Sequence, residues 1–81
     1  MQPGNQTIRL PDLGDVGDVV VVEWAKAEGE AVHEGEDLVE VETQKTAFIV
    51  PAPTSGRLRA ITARPGDRLR TGEALGEIER A

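Results

Sequence analysis

The residue with the clearest chemical potential in this chain is a lysine set in a short polar stretch. Lys45 lies within residues 42–47, between β-prone runs at residues 38–41 and 48–50. Two such runs separated by a few polar residues predict a hairpin, and Lys45 falls at its tip. The chain has one other lysine, Lys26, which offers an internal comparison. An exposed amine at a tip could accept a covalent group, whereas the ordinary interpretation is a solvated surface lysine.

Few other side chains offer reactive chemistry. The sequence has no cysteine, which excludes disulfides, thiolate nucleophiles and zinc–thiolate sites. His33 is the single histidine, so we expect an exposed side chain rather than a metal site or catalytic dyad. Four acids could suggest paired carboxylates for acid–base chemistry, but turn and outward strand positions favour a solvated face: Glu36, Asp37, Glu40 and Glu42. An independently acting enzyme is therefore not expected.

Composition and charge narrow the class of protein. A chain of 81 residues with 38% apolar residues predicts one small globular domain. Fifteen acidic and nine basic residues give a formal charge of −6, which disfavours nucleic acid and favours basic protein surfaces. Apolar runs such as residues 19–22 are too short to cross a bilayer, and residues 1–5 lack the features of a signal peptide. We expect a cytosolic protein that binds other proteins, not nucleic acid or membrane.

The alternation of apolar runs with turn residues predicts an all-β fold. Four consecutive valines at residues 19–22 favour extended backbone because β-branched side chains are stiff. Residues 25–31 could suggest a short helix, but Gly29 interrupts them, and a turn is predicted instead. The predicted strands are 6–10, 19–24, one around Val32, 38–43, 46–50, 57–63, 68–70 and 74–79, with a loop at 11–18. Short strands with regular turn signals are typical of a sandwich or barrel.

Strand alternation also assigns side chains to faces. We predict that Phe48 and Val50 face the core, which leaves Ile49 pointing outward. Trp24 is predicted to be a partly buried anchor on the second strand. These assignments place one large apolar side chain on the surface, close to the hairpin.

An internal repeat supports the all-β prediction. Two pairs of segments match at an offset of 37 residues: 29–32 with 66–69, and 35–42 with 72–79. Matching glycines predict the same turns in both halves, and matching apolar positions predict the same core contacts. We infer half-units at about residues 7–43 and 46–80 that bury their apolar faces against each other. Lys45 lies at the hairpin that joins them, and its equivalent in the second half would be the chain end.

Several separated motifs resemble those of one protein family. They are Ile8-Arg9-Leu10-Pro11-Asp12-Leu13-Gly14, Val22-Glu23-Trp24, Gly35-Glu36-Asp37-Leu38, Val41-Glu42-Thr43-Gln44-Lys45-Thr46, Pro51-Ala52-Pro53 with Ser55-Gly56, and Pro65-Gly66-Asp67. In this order they are similar to the lipoyl domains of 2-oxo acid dehydrogenase complexes. The resemblance implies a flattened barrel or sandwich of two four-stranded antiparallel sheets with a quasi-twofold axis. It also implies that lipoic acid is amide-linked to Lys45.

The resemblance further implies a carrier function without catalysis by the domain itself. A lipoate-attaching enzyme would modify the lysine. The arm would then shuttle acyl groups and reducing equivalents among a thiamine-dependent 2-oxo acid decarboxylase, an acyltransferase catalytic domain and dihydrolipoyl dehydrogenase. The implied parent is a dihydrolipoamide acyltransferase or, in some bacteria, the flavoprotein subunit. We expect a monomeric domain at residues 7–80 after a flexible N-terminus at 1–6, in the bacterial cytoplasm in preference to the mitochondrial matrix.

Residues around the lysine are candidates for recognition by these partners. Glu42 and Gly56 resemble family positions that attaching enzymes use. The alternative without a recognition role is an outward strand residue for Glu42 and an ordinary turn glycine for Gly56. The loop at residues 13–18 is a second candidate, because the equivalent loop in the family lies near the hairpin and contributes to partner choice. The alternative to this recognition role is a solvated acidic turn. The full candidate set is Glu42, Thr43, Gln44, Thr46, Gly56, Leu13, Gly14 and Asp15.

The immediate flanks of the lysine depart from the family pattern. Lipoyl domains usually place Asp before the lysine and Ala or Val after it, whereas this chain has Gln44 and Thr46. We expect these substitutions to affect recognition by the decarboxylase more than lipoylation itself. Because neither Gln44 nor Lys45 favours positive φ, a four-residue loop on a type I turn is predicted at 43–46.

Biotinyl carrier domains share the fold but flank their lysine with methionines, and Met1 is the single methionine here. A biotinyl carrier and an unmodified interaction module are the alternatives.

Overall fold

A computed structural model describes residues 4–81, and all regular secondary structure in that range is β. The strands are β1 (Asn5–Arg9), β2 (Val19–Trp24), β3 (Ala31–Val32), β4 (Asp37–Glu42), β5 (Ala47–Pro51), β6 (Gly56–Ile61), β7 (Arg68–Leu69) and β8 (Ala74–Arg80). The predicted all-β class is confirmed, and the valine-rich strand has its predicted bounds. In this part of the chain no helix has the length and apolarity needed to span a membrane.

The strands form two four-stranded antiparallel sheets that share one apolar core. The terminal sheet has the order β1-β8-β6-β3 and contains both ends of the described chain. The hairpin sheet has the order β5-β4-β2-β7 and contains the hairpin between β4 and β5. Neither sheet closes onto the other, so the structure is a flattened sandwich with open edges. This confirms the predicted arrangement of two four-stranded sheets.

The predicted internal repeat is confirmed by the order of the strands. β2, β3 and β4 recur as β6, β7 and β8 at an offset of 37 residues, whereas β1 recurs as β5 at an offset of 42. A quasi-twofold relation therefore maps the terminal sheet onto the hairpin sheet, strand by strand. The offsets differ because nine residues connect β1 to β2, whereas four connect β5 to β6. The longer connection is the main departure from symmetry.

Glycines at equivalent turns have equivalent conformations. Gly29 and Gly66 both have φ of 95°, and Gly35 and Gly72 have φ of 87° and 89°. An L-residue with a side chain is disfavoured in this left-handed region, which explains why glycine recurs at these positions. The turn predicted at Gly29 is confirmed.

The core is built from equivalent apolar side chains in the two halves. Leu38 and Leu75 are fully buried, as are Val41 and Ile78. Each such side chain contributes about 1.5–3 kcal/mol to folding by leaving water. The side chains predicted to fill the core in pairs therefore do so. The remaining buried apolar residues are Ile8, Leu10, Val19, Val21, Val32, Val39, Val50, Ala52, Leu58 and Ala63.

The first strand begins one residue before its predicted start at Gln6. Asn5 and Gln6, assigned to a flexible N-terminus at residues 1–6, belong to β1 and pair with Glu79 and Ile78 of β8. The strand predicted at residues 6–10 is therefore present, with each bound one residue earlier. The rest of the predicted flexible N-terminus, residues 1–3, lies outside the described residues.

Candidate functional site

The site is built on the hairpin between β4 and β5. β4 ends at Glu42, β5 begins at Ala47, and these two residues pair directly across the hairpin. The four intervening residues form the predicted loop, 43–46. Positive φ within residues 4–81 occurs at glycines alone, so Gln44 and Lys45 have ordinary backbone conformations. This agrees with the exclusion of a two-residue type I′ turn.

The side chain of Thr43 holds the loop together. Its Oγ1 accepts hydrogen bonds from the backbone N–H groups of Lys45 and Thr46, each at 3.2 Å. The same hydroxyl donates to the carbonyl oxygen of Thr46 at 3.1 Å, and the Thr43 N–H donates to that carbonyl at 2.8 Å. The threonine hydroxyl thus takes the place of a backbone carbonyl as acceptor for the turn amides. Thr43 is 9% exposed, which suits a positioning role better than direct contact with a partner.

The two lysines occupy different environments. Lys45 is exposed at the tip, and no salt bridge involving it is present within residues 4–81. Lys26 is half-buried, and its Nζ lies 3.2 Å from the Glu36 carboxylate. A hydrogen bond from the His33 backbone N–H and the Lys26 ammonium together hold the pKa of Glu36 below its ordinary value. Lys45 is therefore the amine that an attaching enzyme could reach without breaking an ion pair.

The loop between β1 and β2 lies against the hairpin, as expected. Asp15 and Val16 line a small cleft of about 60 Å³ together with Thr43, Gln44 and Lys45. The cleft is far too small to enclose a long acyl group on the lysine, so such a group would extend into solvent. Val16 is half-buried against the core; it belongs to the candidate loop at residues 13–18 but was not among the residues singled out there. Its signal in the sequence is an apolar residue that, with Leu13, interrupts an otherwise polar, acidic loop.

The predicted recognition residues divide into two groups. The first group surrounds the hairpin: Glu42, Gln44, Thr46 and Asp15 are exposed, and Gly14 is an exposed turn residue beside them in the β1–β2 loop. Leu13 packs partly against the core, where it anchors that loop. Their roles in recognition stay predictions.

Gly56 belongs to a different part of the molecule. It begins β6 in the terminal sheet and pairs with Arg80, close to the chain end. A Cβ at this position would lie 2.1 Å from the carbonyl oxygen of Glu79, a backbone atom that cannot move aside easily. The absence of a side chain at Gly56 is therefore required by the close approach of β6 and β8. The structure does not bring Gly56 to the hairpin.

Of the four acids considered for acid–base chemistry, Glu36 closes a turn, whereas Asp37, Glu40 and Glu42 lie on β4. Carboxylates accept hydrogen bonds from turn amides at equivalent places in the two halves: Glu30 from Ala27 and Asp67 from Arg64, Glu36 from His33 and Glu73 from Arg70. Within residues 4–81, no group of three or more acidic or histidine side chains is arranged to hold a metal ion. His33 is exposed, as predicted. The described residues thus present an exposed amine at the tip of the hairpin.

Comparison with known proteins gives a consistent picture. Residues 6–78 match a family model described as "Biotin-requiring enzyme", which covers biotinyl and lipoyl attachment domains. The chain is 44% identical over 73 residues to the dihydrolipoyllysine-residue succinyltransferase component of the 2-oxoglutarate dehydrogenase complex from Bartonella vinsonii subsp. berkhoffii. That match covers 89% of this chain and 18% of the relative, so the chain spans about a fifth of the relative's length. Other relatives include acyltransferase components of branched-chain 2-oxo acid and pyruvate dehydrogenase complexes.

Two solved structures share the fold. The lipoyl domain of the 2-oxoglutarate dehydrogenase complex from Azotobacter vinelandii has a TM-score of 0.72 and 34% identity, covering 89% of this chain and 92% of that one. A single-chain, multi-domain long-chain acyl-CoA carboxylase has a TM-score of 0.79 and 28% identity, covering 100% of this chain and 8% of that one. Shape alone therefore does not distinguish a domain of a dehydrogenase complex from a domain of a carboxylase.

Proposed function

The chain belongs to the family of biotinyl and lipoyl attachment domains, and on that basis we propose that it carries lipoic acid on Lys45. The single observation that supports the site is the exposed lysine at the tip of the β4–β5 hairpin, with its turn amides held by the Thr43 hydroxyl. Attachment would convert the Lys45 ammonium into a neutral amide. The domain itself would remain non-catalytic.

The described residues suit a carrier because they present the amine and leave its surroundings open. The cleft of about 60 Å³ beside Lys45 cannot enclose the attached group, so the group would reach away from the domain. The dithiolane supplies the redox and acyl-transfer chemistry when it is bound. The protein supplies a rigid base for the arm, and tethering raises the effective concentration of the arm at each partner site to about the mM range.

Lipoic acid is proposed over biotin on two grounds. The hairpin places Gln44 and Thr46 beside the lysine, and neither resembles the methionines that flank a biotinyl lysine. The relatives named above are acyltransferase components of 2-oxo acid dehydrogenase complexes. The proposed partners are accordingly a thiamine-dependent decarboxylase, an acyltransferase catalytic domain, dihydrolipoyl dehydrogenase and a lipoate-attaching enzyme. The bacterial cytoplasm is the proposed location.

Two attaching enzymes used side by side test the proposal. The purified unmodified domain is incubated with ATP and either lipoate–protein ligase and lipoic acid, or biotin–protein ligase and biotin. Intact-mass spectrometry is expected to show one added lipoyl group in the first reaction and an unchanged mass in the second. The reverse result would identify a biotinyl carrier, and no change in either reaction would support an unmodified interaction module.

A further inference from the structure

The quasi-twofold relation allows the outer faces of the two sheets to be compared position by position. On the hairpin sheet, the outer face includes Val20, Val22, Glu23, Glu40, Glu42 and Ile49. The equivalent positions on the terminal sheet are Arg57, Arg59, Ala60, Glu77, Glu79 and Thr7. The two faces have the same strand framework, so differences between them are not required by the fold. We call the first set the hairpin face and the second set the terminal face.

The hairpin face has apolar side chains where the terminal face has polar ones. Val20 pairs with the exposed residues Glu42 and Arg68, which places it on the outward side of β2. Val22 lies two residues further along the same strand and is also half-buried. Ile49 is 48% exposed. The terminal sheet has Arg57, Arg59 and Thr7 at the corresponding positions, which shows that polar side chains suit this framework.

The central row of the hairpin face also contains an unfavourable charge pair. Glu23 and Glu40 are direct cross-strand partners, and Glu40 pairs in turn with Ile49 on β5. Like charges directly opposite each other destabilise a sheet. No salt bridge within residues 4–81 involves either carboxylate. The equivalent row of the terminal sheet, Ala60–Glu77–Thr7, has a single acid and avoids this repulsion.

These features together describe a surface that is unfavourable in the isolated domain and favourable in a complex. The side chains of Glu23, Glu40 and Ile49 line a shallow groove of about 250 Å³. A cationic side chain placed between the two carboxylates would remove their repulsion, and an aliphatic neighbour would cover Ile49. A basic and aliphatic protein surface therefore complements the groove. A second copy of this chain does not, because the arginines of its terminal face, on β6, lie beside the acids of β8.

We propose that the hairpin face is the docking surface for the thiamine-dependent decarboxylase, whose contacting surface is basic and aliphatic. The proposal rests on the carrier function proposed above. Each catalytic cycle requires a new encounter with the decarboxylase, so electrostatic steering improves the rate every time. The attaching enzyme acts once on each domain and gains much less from steering. Glu42 joins this face to the lysine hairpin through its direct pairing with Val20.

Matched charge removal on the two faces tests the proposal. The lipoylated Glu23→Gln/Glu40→Gln variant is compared with the Glu77→Gln/Glu79→Gln variant, in which two outward acids of the terminal sheet are neutralised. The probe is whichever decarboxylase of a 2-oxoglutarate, pyruvate or branched-chain complex acylates the wild-type domain. We expect kcat/KM for reductive acylation to fall about 10-fold in the first variant and to stay within twofold in the second. Raising the ionic strength should lower kcat/KM for the wild type and affect the first variant much less.

A stability measurement separates docking from misfolding. Removing the Glu23–Glu40 repulsion should raise the melting temperature of that variant while its acylation slows. Ile49→Thr, which copies the residue of the terminal sheet, should also lower kcat/KM for acylation. Equal kcat/KM for both double variants would overturn the proposal. So would a defect confined to lipoylation, which would identify the attaching enzyme as the occupant, or self-association of the wild type that the first variant abolishes. A wild-type domain that is not lipoylated, or not acylated by any of the three decarboxylases, would instead contradict the carrier function.

Discussion

The Gly56→Ala variant is expected to lose about 3 kcal/mol of folding stability, although the change adds a single methyl group. The added Cβ would lie 2.1 Å from the carbonyl oxygen of Glu79 and 3.0 Å from the Cα of Arg80. Both are backbone atoms of β8, so β6 and β8 must separate to make room. Because β8 is central in the terminal sheet, the disturbance would extend to its pairing with β1. Urea denaturation followed by circular dichroism measures the free energy of unfolding.

Gly66→Ala is the matched control for this prediction. Gly66 has φ of 95°, but a Cβ there meets no atom within 4 Å. Its replacement should cost only the left-handed backbone penalty, about 1 kcal/mol. If Gly56→Ala destabilised the protein no more than Gly66→Ala, the close approach of the strands would not be the reason for glycine. A Gly56→Ala variant that folds normally but resists lipoylation would support the recognition role instead.

The Thr43→Val variant is expected to lower kcat/KM for lipoylation about 10- to 100-fold while the domain stays folded. Valine preserves the branched shape of the side chain but removes the acceptor for the N–H groups of Lys45 and Thr46. The loop would then sample conformations that misplace the lysine, and a misplacement of about 1 Å can cost a factor of roughly 100 in rate. The hydrogen bonds themselves contribute about 1 kcal/mol each to stability. Initial rates with lipoate–protein ligase, measured against domain concentration, give kcat/KM.

Thr43→Ser distinguishes the hydroxyl from the rest of the side chain. Serine retains the oxygen that accepts the two hydrogen bonds, so kcat/KM for lipoylation should return to within about threefold of the wild-type value. A thermal melt of each variant confirms that the sandwich is intact. Equal lipoylation rates for Thr43→Val and the wild type would show that the hydroxyl does not position the lysine.

Most of the architecture could be predicted because local signals agree along the chain. The consecutive valines of β2, the recurrence of Gly29 and Gly35 as Gly66 and Gly72, and the alternation of Phe48, Ile49 and Val50 each identify an element or a face. The structure confirms Ile49 as exposed and Val50 as buried. Phe48 packs partly against the core, as does Trp24, whose Nε1 donates to the Ala63 carbonyl at 2.8 Å. These features depend on short-range backbone preferences and on periodicity, which a sequence displays directly.

The remaining features depend on contacts between distant segments. Gly56 resembles an ordinary turn glycine in sequence, and only the pairing of β6 with β8 shows why a Cβ is excluded. The three hydrogen bonds of the Thr43 hydroxyl depend on the detailed path of the loop, although a threonine just before a tight loop is a recognisable signal. The like-charge pair Glu23 and Glu40 requires the register of β2 against β4, including its irregularity after Val21.

Localising the modification tests the central claim most directly. The wild type, Lys45→Ala and Lys26→Ala domains are incubated with lipoate–protein ligase, ATP and lipoic acid, and their intact masses are measured. We predict one added lipoyl group on the wild type and on Lys26→Ala, and none on Lys45→Ala. Lys26 is the control because it is the other lysine of the chain, and it is half-buried and paired with Glu36. An unmodified wild type, or a lipoyl group that persists in Lys45→Ala, would contradict the assignment of Lys45 as the attachment site.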